Sequence, residues 1–299
     1  MPPLDSFDLP RALRWERTAS GLIRALIATP LAEAELYLQG GHLARWTPRG
    51  AQPVLFLSSK SHFTPGQAIR GGVPVIFPWF GARAEGKPGP AHGFARTAVW
   101  TIDSTQMREN GAVDITLSLA PDDASRALGF DAFHLTLRVS IGADLTMEVD
   151  THNTGDRPLV YEEALHTYFA VGDVRNASVT GLEGTAFIDK TDAFTRKQLS
   201  GEPLRITQET DQVHLNTRTA CVIDDPAWNR RIVVEKSGSD STVVWNPWIE
   251  KTAAMSDMAP AEWQRMLCIE TANTAENAVH LAPGASHRMR VRISVIAPA

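Results

Sequence analysis

Alternating apolar and polar residues dominate the chain. From Gly21 the sequence reads GLIRALIAT and then AEAELYL, and the same two-residue period returns at GAVDITLSLA, FHLTLRVSIG and LTMEVDTHNTG. Every second side chain of a β-strand lies on the same face, so these runs predict strands with one buried face. The long helical segments that a parallel sheet needs between its strands are missing. The pattern predicts an all-β fold, a large antiparallel β-sandwich.

Helical patterns are limited to short pieces. We expect them over residues 122–128 and 260–264, so that a few short helices complete the fold. Residues 1–20 are mixed in character and contain prolines, which is typical of an extended lead-in. The chain contains no linker and no repeat of fixed period. We therefore expect a single domain over residues 1–299.

Charge and composition exclude several classes of function. The net charge is -5 and the pI is near 6.0, whereas a nucleic-acid surface needs clustered Lys and Arg, so no nucleic-acid partner is expected. No run approaches the roughly 18 apolar residues of a membrane helix, and the N-terminus lacks the basic start and apolar run of a signal peptide. We expect a cytoplasmic monomer with no membrane partner, in which Cys221 and Cys268 are buried free thiols.

Two residues are candidates for proton transfer. Glu270 ends the apolar run MLCI, which has the length of a strand. A carboxylate at the inner end of such a strand is desolvated, which raises its pKa and suits it to acid–base work; the alternative is a solvated residue at a strand end. His166 lies in LVYEEALHTYFA, which also indicates a strand. It serves either in the core or as a group that transfers protons near neutral pH.

The Gly- and Pro-rich residues 58–96 interrupt the strand pattern, yet they carry large aromatic and cationic side chains, which is typical of binding loops. Arg70 and Arg96 in these loops could clamp a phosphate or a carboxylate, and ordinary surface salt bridges are the alternative. The tryptophans Trp245 and Trp248 could stack on a sugar ring or belong to the core. Nucleotide-binding, serine-hydrolase and metal-binding motifs are absent, so we expect no cofactor and no metal.

Five motifs occur in a fixed order between about residues 65 and 273: RGGVPVIFPWFG, HGFAR, EEALHTYFAVGDV, TDQVHL, and WNPWIEKTAAMSDM with CIETAN. Together they resemble the hexose-6-phosphate mutarotases, the glucose-6-phosphate 1-epimerase branch of the aldose 1-epimerase superfamily. The resemblance implies the galactose mutarotase-like sandwich. It also implies an isomerase that interconverts the α and β anomers of a hexose 6-phosphate, glucose 6-phosphate above all, without a cofactor.

The resemblance also implies roles for single residues. Glu270 becomes the base that takes the proton of the C1 hydroxyl, and His166 the acid that protonates the ring oxygen. We expect their proximity to keep Glu270 ionised and His166 protonated. Substrate contacts are assigned to Arg70, His92, Arg96 and Asp211, with Trp248 as an aromatic contact. Ala91 stands where some members carry a Gln that touches the substrate.

Two other functions remain open at this stage. A mutarotase for unphosphorylated aldoses would use the same acid and base, and only the cationic side of the pocket discriminates between the two substrates. A carbohydrate-binding protein without catalytic activity is also compatible with the sandwich fold. The presence of both His166 and Glu270 counts against such a protein, because binding alone needs no acid–base pair.

Overall fold

Twenty-two strands and two short α-helices form the fold of residues 2–298, which a computed structural model describes. All pairings between these strands are antiparallel, which confirms the all-β antiparallel prediction. The strands are β1 Leu13–Arg17, β2 Ile23–Ala28, β3 Ala32–Tyr37, β4 His42–Pro48, β5 Val75–Ile76, β6 Thr101–Met107, β7 Val113–Leu119, β8 Phe133–Ile141, β9 Leu145–Asn153, β10 Leu159–Tyr161, β11 Glu163–Leu165, β12 Tyr168–Ala170, β13 Ser178–Thr180, β14 Ala186–Asp189, β15 Thr195–Gln198, β16 Thr210–Leu215, β17 Cys221–Asp225, β18 Arg230–Ser237, β19 Ser241–Asn246, β20 Met266–Asn273, β21 Val279–Leu281 and β22 Ser286–Ile296.

The strands form two large sheets, one smaller sheet and a ribbon. The first large sheet has the order β15-β14-β16-β19-β20-β11-β5, and β12 also pairs with β20. The second has the order β13-β17-β18-β22-β9-β8-β7-β6. Strands β1 to β4 make a four-stranded sheet, and β10 pairs with β21. The central strand β20 of the first large sheet carries Glu270, so this sheet is the one that positions the candidate chemistry.

One apolar cluster joins the three larger sheets. Leu36 of β3, Leu137 of β8, Ile269 of β20 and Ile293 of β22 are all buried in it. Burying a side chain of this size contributes roughly 1.5–3 kcal/mol, so the cluster fixes the strands firmly. Since neighbouring residues of a strand point to opposite faces, the burial of Ile269 directs Glu270 to the other face of β20.

The N-terminal segment differs from the extended lead-in that the sequence predicts. Leu4–Phe7 form a 3-10 turn, and β1 pairs along its whole length with β2. The reason is the alternation within LRWER, which buries Leu13 and Trp15 in the main cluster on one face of the strand. Strand β1 therefore begins inside the predicted lead-in. It was not predicted, because prolines and acidic residues precede it.

The helices are short, as expected. Helix α1 spans Asp123–Ala127 and confirms the first prediction; Asp122 and Ser125 form a capping box at its start. The second predicted helix is a 3-10 turn at Glu262–Arg265. Helix α2, Trp248–Ala254, was not predicted, because seven residues are too few to show a helical period. No helix within residues 2–298 is long and apolar enough to span a membrane.

His214 makes the stability of this fold depend on pH. Its fully buried ring contacts Thr185 at 2.8 Å and Gln212 at 3.2 Å, and burial lowers its pKa to about 4. An unfolded histidine titrates near 6.5, so the unfolded chain takes up the proton first as the pH falls. The stability that this difference provides is complete above about pH 6.5 and is lost progressively down to about pH 4.

We therefore expect the free energy of unfolding to fall between pH 7.5 and 5 by about 2 kcal/mol more in the wild type than in His214→Gln. Urea denaturation at both pH values measures this difference. The matched control is His280→Gln, because His280 is exposed. Equal pH dependence in the wild type and His214→Gln would show that the buried ring does not set the acid sensitivity.

Candidate active site

A cleft of about 280 Å³ lies on the face of the first large sheet to which Glu270 points. Five of the seven residues predicted for the site line it, namely Arg70, His92, His166, Asp211 and Glu270. The other lining residues are Phe80, Lys190, Trp245, Lys251 and Met255.

A row of four side chains crosses the sheet under the cleft. Tyr168 of β12 pairs with Cys268 of β20, Cys268 with Trp245 of β19, and Trp245 with Asp211 of β16. Residues that pair directly across strands present their side chains on the same face. Glu270 lies two residues beyond Cys268 and therefore shares this face. The strand register alone thus brings Asp211 and Glu270, 59 positions apart in the sequence numbering, to one surface.

His166 lies in a break between two short strands. The sequence predicts one strand through this residue, but β11 ends at Leu165 and β12 begins at Tyr168. The His166 N–H leaves the sheet pattern and donates to the carbonyl of Pro74, at 3.0 Å. The imidazole stacks on the ring of Tyr168, with 4.8 Å between ring centroids and 9° between planes. The break lets the imidazole turn toward Glu270.

His166 and Glu270 are in direct contact. Nε2 of His166 lies 3.3 Å from Oε1 of Glu270, and the two residues are only 7% and 1% exposed. Strand β20 continues beyond Glu270 to Asn273, so the alternative of a solvated residue at a strand end is wrong. Among the described residues, the Glu270 oxygens and Nδ1 of His166 make no hydrogen bond of good geometry. Buried polar atoms of this kind are available to a substrate.

The electrostatics of the pair differ from the sequence hypothesis. Burial raises the pKa of Glu270 well above its usual value, and the nearby Asp211 raises it further. Burial lowers the pKa of His166 well below its usual value, and the charges of Arg70 and Arg96 contribute in the same direction. Both directions favour a neutral pair with one proton on Glu270. These directions oppose the expected ionised Glu270 beside a protonated His166, because the hypothesis counted the partner's charge and left out the cost of burial.

The two predicted arginines act on the His166 side of the cleft. Arg70 contacts Oδ2 of Asp257 through Nε and Nη2, both at 3.0 Å, and its Nη1 donates to the Tyr168 hydroxyl at 2.8 Å. Arg96 is not among the lining residues, but its charge lowers the pKa of His166. Its Nη2 donates to the carbonyl of Ala91 at 2.8 Å, and its Nε is buried without a partner among the described residues.

A second polar group lies on the Glu270 side. Lys190 contacts Asp211 at 3.2 Å, and its ammonium lies 5.2 Å from the centre of the Phe80 ring. Burial raises the pKa of the Asp211 carboxyl, while Lys190 acts against this shift. The charges of both residues also act on Glu270. Lys190 is not predicted from the sequence, because it lies in a polar segment without a recognisable motif.

The two remaining predicted contacts have different outcomes. His92 lines the cleft with its ring edge-on to Phe80 at 4.8 Å, and burial together with Arg96 lowers its pKa to about 3. Trp248 is not among the lining residues; its ring packs on Trp263, with centroids 4.2 Å apart. The structure therefore places Trp248 against Trp263 and Trp245 at the cleft, which differs from the position that the sequence predicts for Trp248.

His166 and Glu270 of the cleft form, together with the buried Cys268, a set of side chains of the types that bind metals. Ligand atoms of His166, Cys268 and Glu270 lie within 4.8 Å of one another. Zinc accepts nitrogen, sulfur and oxygen ligands of this kind. Two of the three groups are the acid–base candidates, and the cations Arg70 and Lys190 line the same cleft and oppose the entry of a divalent cation.

Known proteins are similar to this chain over most of its length. Two relatives are provisionally named glucose-6-phosphate 1-epimerase. The one from Cenchrus ciliaris is 35% identical over 94% of this chain and 87% of its own length. The one from Escherichia coli K12 is 38% identical over 83% of this chain and 82% of its own length. A solved structure from Salmonella typhimurium, provisionally described as a mutarotase, superposes with a TM-score of 0.90 at 32% identity and covers 97% of this chain and 96% of its own.

These similarities confirm the family resemblance and the mutarotase-like fold that the five motifs imply. A family model described as aldose 1-epimerase matches residues 25–294, which is most of the chain. The chain therefore belongs to the aldose 1-epimerase family.

Proposed function

We propose that this chain interconverts the α and β anomers of a hexose 6-phosphate, with glucose 6-phosphate as the leading substrate. One observation carries the proposal: the order of polar groups along the cleft matches the order of atoms in a pyranose 6-phosphate. The relatives provisionally named glucose-6-phosphate 1-epimerase support the same substrate.

The order in the sugar is fixed by its bonds. The phosphate is attached at C6, C6 is next to C5, and then follow the ring oxygen, C1 and C2. The charges of Arg70, which lines the cleft, and of Arg96, which does not, act on His166, and His166 contacts Glu270. Asp211 follows, because its charge acts on Glu270. A phosphate at the arginines thus brings the ring oxygen to His166, the C1 hydroxyl to Glu270 and the C2 hydroxyl to Asp211.

The reaction needs one acid and one base in these places. Ionised Glu270 takes the proton of the C1 hydroxyl; the O–H electrons form the C1 carbonyl, and the bond from C1 to the ring oxygen breaks. Protonated His166 gives its proton to the ring oxygen. Rotation about the C1–C2 bond presents the other face of the carbonyl, and the same transfers in reverse close the ring. The pair ends with the protons that it had at the start.

The neutral pair favoured by burial and the ion pair used in the reaction contain the same number of protons. They differ only in whether one proton lies on Glu270 or on His166, 3.3 Å apart. Moving this one proton from Glu270 to His166 therefore prepares the site without a net exchange of protons with water. The small exposure of both groups keeps the proton between them.

Removing either group should slow anomer exchange strongly. We expect Glu270→Gln and His166→Gln each to lower the rate by about 10²–10⁴-fold, the usual value of one positioned proton transfer. Saturation-transfer NMR on glucose 6-phosphate measures the exchange, with the rate in the absence of protein subtracted.

The matched controls are Glu163→Gln and His214→Gln, which replace a buried carboxylate and a buried imidazole that do not line the cleft. Both should retain the wild-type rate. A Glu270→Gln protein whose pH–rate profile equals that of the wild type in height and shape would contradict the assignment of the base.

The arginines should decide the preference for the phosphorylated sugar. The buried, unpartnered Nε of Arg96 suggests that its guanidinium has capacity for an anion. Since a hydrogen bond to a charged group contributes about 1.5–3 kcal/mol, Arg96→Met should reduce the ratio of kcat/KM for glucose 6-phosphate over glucose by about 10- to 100-fold.

The control for this experiment is Arg218→Met, because Arg218 is an exposed arginine that does not line the cleft. An Arg96→Met protein that loses the same factor with both sugars would contradict a phosphate contact. A wild-type protein that accelerates only unphosphorylated sugars would favour the mutarotase for free aldoses, and one that accelerates none would favour a carbohydrate-binding protein.

A further inference from the structure

We propose that an oxyanion held at Arg70 and Arg96 switches on the His166–Glu270 pair, so that a free dianion such as phosphite activates this chain toward hexoses that carry no phosphate. The inference rests on the proposed function, because it uses the same pair and the same arginines. It adds that the phosphate controls the chemistry as well as the binding of the substrate.

The structure links the arginine group directly to the candidate acid. Nη1 of Arg70 donates to the hydroxyl of Tyr168 at 2.8 Å, and the ring of Tyr168 stacks on the His166 imidazole at 4.8 Å. Tyr168 is fully buried and pairs with Cys268 of β20. It therefore holds Arg70 and His166 at fixed positions. Only the side chain of Tyr168 therefore lies between Arg70, which would contact the anion, and the imidazole of His166.

The charges of the cleft leave a place for one more anion. Three of its cations have a carboxylate partner: Arg70 with Asp257, Lys190 with Asp211, and Lys251 with Glu209, at 3.0, 3.2 and 2.8 Å. Arg96 has no carboxylate within ion-pair distance among the described residues, and its buried Nε lacks a hydrogen-bond partner. Burial lowers the pKa of this guanidinium, so an uncompensated charge is costly there. A bound oxyanion would remove that cost.

The same anion would change the state of the acid. Burial is the largest cause of the lowered pKa of His166, and the charges of His92, Arg70 and Arg96 lower it further. A dianion beside the two arginines offsets their effect on the imidazole, which favours the proton on His166 over the proton on Glu270. The site then holds the acid and the base that ring opening requires. Each unit by which the His166 pKa rises increases the protonated fraction up to tenfold.

A covalent link between sugar and phosphate is not needed for this effect. The dianion acts through its charge, and the phosphoryl group of a hexose 6-phosphate lies beyond C6, away from the bonds that break. Free glucose leaves that position of the cleft open to a small tetrahedral anion. The chain should therefore act on free glucose when a separate tetrahedral anion occupies the position of the phosphate.

The test is anomer exchange of unphosphorylated glucose, measured by saturation-transfer NMR with wild-type protein and added phosphite. Sodium chloride at equal ionic strength is the reference. Every sample has a counterpart without protein, because phosphite itself acts as a base on the sugar. Sulfate is the second probe, since it is a dianion of similar shape and a much weaker base. Arg96→Met and the control Arg218→Met are measured in the same way.

We expect phosphite and sulfate each to raise the protein-dependent exchange by about tenfold or more, which corresponds to a shift of one pKa unit or more. The increase should be absent in Arg96→Met and unchanged in Arg218→Met. A wild-type rate on glucose that stays constant or falls with both anions, while glucose 6-phosphate is turned over, overturns this inference and leaves the proposed function intact. An equal increase in Arg96→Met also overturns it. A protein that turns over neither sugar overturns the proposed function itself.

Discussion

The contact between His166 and Glu270 is the interaction on which the site depends. Two titratable groups lie 3.3 Å apart at a depth where neither is solvated, so each can change its charge only together with the other. Burial favours the neutral form of both. Such a pair is costly for the fold, because buried polar atoms without hydrogen bonds destabilise it by about 1–3 kcal/mol each. Because the His166–Glu270 pair lines the cleft, we attribute this cost to a role in the chemistry of the site.

The sandwich holds the pair by two different devices. Glu270 is fixed within β20, whose opposite face is anchored in the main apolar cluster through Ile269. His166 lies at the break between β11 and β12. Its imidazole is held there by stacking on the ring of Tyr168. A rigid strand thus presents the carboxylate, and an interruption of the sheet presents the imidazole. The charged residues around them then give the cleft two chemically different sides.

The sequence predicts the fold class well and points to the two groups that meet in the cleft, because both signals are local in the chain. Alternation of apolar and polar residues indicates a strand with one buried face wherever it occurs. The motif around His166, EEALHTYFAVGDV, is a single uninterrupted stretch of sequence. Lys190 lines the cleft without having been predicted and Trp248 does not line it, because their positions depend on how distant segments meet. The pKa of Glu270 also shifts against the expected ionised state, because burial depends on residues from several strands. A local sequence pattern does not show which distant residues bury the side chain.

The roles of His166 and Glu270 depend on the orientation of the sugar, which a crystal structure with 1,5-anhydroglucitol 6-phosphate would reveal. This analogue keeps the phosphate and the ring oxygen but has no C1 hydroxyl and cannot open. We expect the phosphate at Arg70 and Arg96, the ring oxygen at Nε2 of His166, and C1 facing Glu270. A phosphate at Lys190 and Lys251, with the ring reversed, would contradict the assignment of acid and base and the activation by oxyanions together.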